Sequence, residues 1–201
     1  YCANSEYGPY WSVTRYEDIM QVDTSHDVYS SEPGITIRAM DEDFRLPMFI
    51  AMDPPKHDLQ RATVSGVVAP RNLAELEPLI KQRAGRILDD LPVGETFNWV
   101  ERVSVELTTQ MLATLFDFPF EQRHKLTYWS DLATGSPEMV GGDISEEERL
   151  TGLTECLQTF TRIWHERKER EAGFDLISLL QRDPATADIV DRPMEYLGNL
   201  M

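Results

Sequence analysis

Beyond Pro55, apolar residues return every three or four positions, the period of helices with one face turned from water. Residues 56–68 form the first predicted helix, its start fixed by Pro54 and Pro55. Leu73, Leu76, Ile80, Ala84, Ile87 and Leu91 make the next stripe, which ends before Pro92 and Gly94. Pro78 falls inside it, and its missing amide donor predicts a kink or a later helix start. Asn98 and Glu101 have capping-box spacing and open a helix with Val100, Val103, Leu107, Met111 and Leu115 on its buried stripe. Pro119 ends that helix, and 120–132 follows as another. Ser145 and Glu148 are a second capping box, ahead of a long helix through Leu150, Leu153, Leu157, Phe160 and Ile163. A shorter helix is predicted at 174–180, and Pro193 starts a last one.

The first part of the chain is patterned differently. Residues 10–14 are aromatic and β-branched, a short strand candidate, and 17–22 fit one or two helical turns. Two stretches rich in Gly, Pro and scattered charge, 30–47 and 134–143, are expected to be loops, and long loops in compact domains are usually functional. The fold class predicted is mainly α with a small β region near the amino terminus, in one domain spanning 1–201. The last helix is still apolar at Leu200 and Met201, and the chain opens on Tyr1 and Cys2, a pattern expected of a segment of a longer protein.

Charge narrows the function classes. With 19 basic against 35 acidic residues, a net of −16, the chain repels phosphate backbones, so no nucleic-acid partner is expected. No stretch reaches the roughly 20 apolar residues of a membrane span. The first residues carry neither the basic nor the apolar region of a signal peptide, which predicts a cytoplasmic protein. Cys2 and Cys156 sit in no paired motif; Cys156 is expected to be a half-buried free thiol.

Few motifs suggest chemistry. His165-Glu166-Arg167-Lys168-Glu169 lacks the second histidine of a zinc helix and reads as a solvated charged face. Gly141-Gly142 lacks the spaced glycines of a phosphate loop. The segment that stands out is 52–61, Met-Asp-Pro-Pro-Lys-His-Asp-Leu-Gln-Arg, in which two prolines launch a helix and put His57 and Arg61 on one face. Such a pair makes a two-pronged cationic clamp for a ligand with paired carboxylates. On spacing alone, an ordinary polar face balanced by Asp58 and Lys56 is the commoner meaning of that pattern.

Those residues resemble the start of the C helix in bacterial cytochromes P450, and the resemblance runs along essentially the whole chain. The segments 49–58 and 107–119 resemble the group that hydroxylates alkanes at the terminal carbon, as do 8–14 and 193–200. The resemblance implies the P450 fold in the order strands and B–C loop (1–55), then helices C to H and the start of the I helix (56–201). It also implies haem (heme b) held at its two propionates by His57 and Arg61, with O2 activated by two electrons and one oxygen atom inserted into a C–H bond. Apolar substrate contacts are expected from Phe49 and Ile50, then from Ile35, Ile37 and Met40, and from Met139 and Val140 in a lid region. The last two could equally pack only locally. Electrons would come from a ferredoxin and a ferredoxin reductase, with Lys56, Arg61 and Arg71 as a local basic patch on an acidic protein.

The 201 residues do not contain the family's acid-alcohol pair, its Glu-x-x-Arg element or its haem-cysteine loop, and neither Cys2 nor Cys156 has that loop's context. The chain is therefore expected to end early in the I helix and to be inactive alone, because thiolate ligation favours O–O cleavage. Two alternatives stand beside this reading. One is a P450 acting on fatty acids or terpenes; the other is a non-enzymatic, acidic, helical interaction protein.

Overall fold

The computed structural model describes residues 1–5, 8–32, 34, 35, 37, 46–134, 144–170 and 173–201. Its elements are almost all helical. In chain order they are α1 (Tyr16–Thr24), α2 (Lys56–Ser65), α3 (Pro70–Asp89), α4 (Glu106–Phe116), α5 (His124–Thr134), α6 (Glu146–Lys168), α7 (Leu176–Arg182) and α8 (Pro193–Leu200). Most starts follow the sequence signals. Asn98 Oδ1 accepts from the amides of Val100 and Glu101 at 3.0 and 3.4 Å, and Ser145 Oγ accepts from Glu148 N at 3.1 Å. Three glutamates fill the first turn of α6, where the helix dipole favours negative charge. The expected loops at 30–47 and 134–143 fall largely outside the described residues.

Four expectations change. The small β region is reduced, among the described residues, to one bridge between Cys2 and Tyr10, because a strand needs a neighbour for its backbone groups and Trp11 to Thr14 find none. Helix α3 starts earlier, at Pro70, and runs through Pro78; Pro70 suits a first-turn position, and Ala69 before it is extended. The third change concerns α4, which is preceded by a π-helical segment, Val100–Val105. A π turn takes an extra residue, so the phase slips: Thr109, Ala113 and Phe116 are buried, Val103, Leu107, Met111 and Leu115 are half-buried, and Val100 is exposed. The last is Arg167, read in sequence as part of a solvated face and found buried. It lies three and four residues after Trp164 and Ile163, on the same inward stripe of α6.

The core is built on that stripe. Leu153, Cys156, Phe160, Ile163 and Trp164 of α6 meet Leu126, Trp129, Leu132 and Ala133 of α5, Phe116 and Phe118 at the end of α4, Ile177 and Leu180 of α7, and Tyr196, Leu197 and Leu200 of α8. Phe160 sits among Phe116, Phe118 and Trp129, with ring centroids 5.2 to 6.1 Å away. Arg167 closes the stripe with 2.6 Å ion pairs to Asp117 and to Asp175, the residue that caps α7. By contrast α1 buries nothing, and α3 buries only Ile87.

Helix α8 is held on two sides. Inward, the Tyr196 ring meets Trp164 edge-on at 5.3 Å, and its hydroxyl donates to Phe160 O at 3.2 Å. Outward, Gly198 packs against the backbone of Pro47 and Met48, where a Cβ would press into the Pro47 carbonyl oxygen. Two predictions follow from these contacts. Arg167→Met leaves the buried Asp175 without its ion-pair partner and is expected to cost about 3 kcal/mol in urea unfolding. Gly198→Ala overpacks the α8 contact and is expected to cost about 1–3 kcal/mol, read as a lower Tm.

Candidate functional site

Helix α2 has little apolar grip on the molecule. Its buried residues are Gln60 and Thr63, Val64 is half-buried against the core, and Leu59 is exposed. Polar bonds to α8 orient it instead. Lys56 Nζ lies 3.0 Å from Glu195 Oε2, and Gln60 Nε2 donates to Glu195 Oε1 at 2.6 Å. Arg192 Nε adds a third donor to the same carboxylate at 3.2 Å, while its Nη1 reaches Asp188 Oδ2 at 2.7 Å. Burial raises the pKa of the Glu195 carboxyl, but the donors Lys56, Gln60 and Arg192 outweigh it and hold the group below the ordinary carboxylate range.

One position further along the helix, His57 and Arg61 form the neighbouring stripe. Consecutive helical residues are set about 100° apart, so this stripe is turned away from the one that grips Glu195. The His57 side chain is half-buried; its ring lies 6.2 Å from that of Phe49, and Nδ1 is 2.8 Å from Asp58 Oδ1. The Asp58 carboxylate accepts from Nδ1–H, so Nε2 can donate to a second carboxylate only when the ring is protonated. Arg61 is exposed and has no hydrogen-bond or ion-pair partner among the described residues. An arginine's five N–H groups and a histidine one turn away are a donor set for carboxylates, and Arg61 is unspent.

The approach to α2 is also tied down. Asp53 accepts from Ser30 Oγ at 2.5 Å and Ser31 N at 3.0 Å, and these bonds hold its carboxyl below the usual range. Between that tether and α2, the turn Phe49–Ala51 presents a half-buried Phe49 and an exposed Ile50. The structure therefore brings Phe49 and His57 together, with Ile50 beside them in the chain. Ile35 and Ile37 are exposed, 56% and 60%, and join no buried cluster. Met40, Met139 and Val140 lie outside the described residues.

The remaining chemistry is quiet. Cys156, expected to be half-buried, is fully buried, and burial, with the nearby Glu155 charge, pushes its thiol up to about 12, which keeps it protonated and unreactive. Of the expected basic patch, Arg71 is exposed beside Glu75 at 3.6 Å, and Lys56 is engaged with Glu195. No group of three or more metal-ligating side chains occurs among the described residues, and no helix among them is long and apolar enough to cross a membrane. Sequence reasoning missed Glu195 as part of the site. It reads there as an ordinary first-turn acid, and its partners Lys56 and Gln60 lie 139 and 135 positions away.

Comparison with known proteins relates the chain to a family. No protein-family model matches the chain. Cytochrome P450-153 from Novosphingobium aromaticivorans is 40% identical, with a TM-score of 0.83 over 98% of this chain and 49% of that one. CYP153D17 from Sphingomonas sp. PAMC 26605 is 45% identical, with a TM-score of 0.83 over 98% of this chain and 50% of that one. A curated relative, the steroid C26-monooxygenase of Mycobacterium tuberculosis, is 32% identical over 138 residues, 65% of this chain and 32% of its own length. The chain thus spans between a third and a half of the length of the curated relatives it matches. By sequence and by fold, this chain is a homologue of the bacterial cytochromes P450 over most of its length.

Proposed function

We propose that the chain supplies the haem-edge and substrate-facing part of a haem-thiolate monooxygenase that hydroxylates medium-chain alkanes or similar aliphatic chains, at the terminal carbon. The observation that carries this reading is the 40% and 45% identity to the two cytochromes P450-153 across 98% of the chain. The alkane-group resemblance of 49–58 and 107–119 points the same way.

Haem b with a thiolate ligand supplies the dioxygen chemistry that places one oxygen atom in a C–H bond. This chain's residues fit the group at its carboxylate edge. Arg61 would hold one propionate through its unpartnered guanidinium, and His57 the other through Nε2, with Asp58 fixing the ring from behind. The Phe49 ring lies 6.2 Å from the His57 ring and would shield one side of that contact from water. Ile50, with Ile35, Ile37, Met40, Met139 and Val140, would offer apolar area to the substrate, whose binding comes from surface removed from water. Electrons would arrive from a ferredoxin and its reductase in the cytoplasm, with the exposed Arg71 as a basic contact. A second reading, a terpenoid or steroid substrate, is favoured by curated relatives named linalool 8-monooxygenase and steroid C26-monooxygenase.

Two measurements test this function. Titration of the haem-stripped protein with hemin should show Arg61→Ala and His57→Ala each weakening affinity about tenfold, given roughly 1.5 kcal/mol or more for a charge-assisted bond. Unchanged affinity in both would remove the anchoring role. Titrating the haem-loaded protein with octane, lauric acid and linalool, and following the absorbance shift as substrate enters, should give tightest binding for octane. Linalool binding more tightly than octane would favour the second reading. Ile50→Asn should weaken octane while leaving hemin affinity unchanged.

A further inference from the structure

The same bonds that dock α2 also bear on its function. Lys56 and Gln60 are one helical turn apart, and each meets a different oxygen of one carboxylate, that of Glu195. Two contacts along one stripe fix a helix in rotation about its own axis, which one contact cannot do. Apolar packing sets this rotation weakly, because the half-buried Val64 is the α2 side chain packed against the core and Leu59 stands in solvent. Glu195 itself has little freedom. It is 7% exposed, takes a third bond from Arg192, and sits on a helix pinned by Tyr196 inward and by Gly198 against Pro47.

We propose that Glu195 is a positioning residue: gripping Lys56 and Gln60 from the far side, it sets the rotation of α2 and so aims His57 and Arg61 at the ligand. The inference rests on the reading of His57 and Arg61 as the residues that hold the haem carboxylates. The charges around the grip balance, with Lys56 and Arg192 facing Glu195 and Asp188. Replacing the carboxylate by an amide leaves two cations against one acid. It also weakens the bond to the Gln60 amide, whose oxygen is buried without a partner among the described residues. Helix α2 is then free to roll by a fraction of a turn. Since neighbouring stripes are only about 100° apart, a modest roll carries both donors off their targets.

A residue that merely stabilises the fold would weaken every variant alike, whereas one that acts through His57 and Arg61 loses its effect when they are gone. The test is a cycle of hemin titrations on the haem-stripped protein, with urea unfolding of each variant alongside. Glu195→Gln is expected to weaken hemin about tenfold, the size of one charge-assisted bond. Added to the pair His57→Ala and Arg61→Ala, it is expected to change affinity less than about twofold. Unchanged hemin affinity in Glu195→Gln alone, or a full further tenfold loss in the triple variant, would overturn the proposal. Should Glu195→Gln fail to fold, Lys56→Met and Gln60→Leu break the grip from the α2 side and are read in the same cycle. If His57→Ala with Arg61→Ala leaves hemin affinity unchanged, the anchoring role itself falls and this inference with it. That failure is recognisable because it shows in the double variant, before Glu195 is touched.

Discussion

Between Leu153 and Arg167, α6 turns a continuous row of side chains away from water, and the elements that carry the site are placed by what they set against that row. Tyr196 is the link. Its ring and hydroxyl lock α8 onto Trp164 and Phe160, while the residue before it, Glu195, faces the other way and takes Lys56 and Gln60 of α2. A chain of contacts thus runs from the aromatic core, through one short helix, to the helix stripe that carries His57 and Arg61. Its first half is apolar and non-directional; its second half is polar and fixes an angle.

That division explains what was legible in the sequence. Helices with a strong apolar period or a side-chain cap, such as those starting at Lys56, at Ser145 and at Pro193, could be placed from local pattern, since burial and capping are written within a few residues. The phase of α4 could not, because a π turn that slips the register has no local marker in Val100 to Val105. The strand expected at 10–14 failed for the opposite reason: local propensity was present, but a strand exists only with a partner.

The site divided along the same line. His57 and Arg61 were legible because both lie on one turn after two prolines, a spacing that reads directly as a shared face. Glu195, which orients them, was not, because its bonds span more than a hundred positions and its local sequence is that of any helix start. Arg167 was misread similarly: four charged neighbours imply solvent, yet helical phase carries this one inward to Asp117 and Asp175. Local pattern shows which residues share a helix face more readily than which distant partner sets the angle of that face.

The anchoring of a ligand by α2 is tested most directly by a crystal structure of the hemin-loaded protein. Arg61 and His57 Nε2 are expected each about 2.7–2.9 Å from a propionate oxygen, with Lys56 and Gln60 still on Glu195. Propionates pointing to solvent, or α2 rolled so that Glu195 is released while the propionates stay bound, would contradict it.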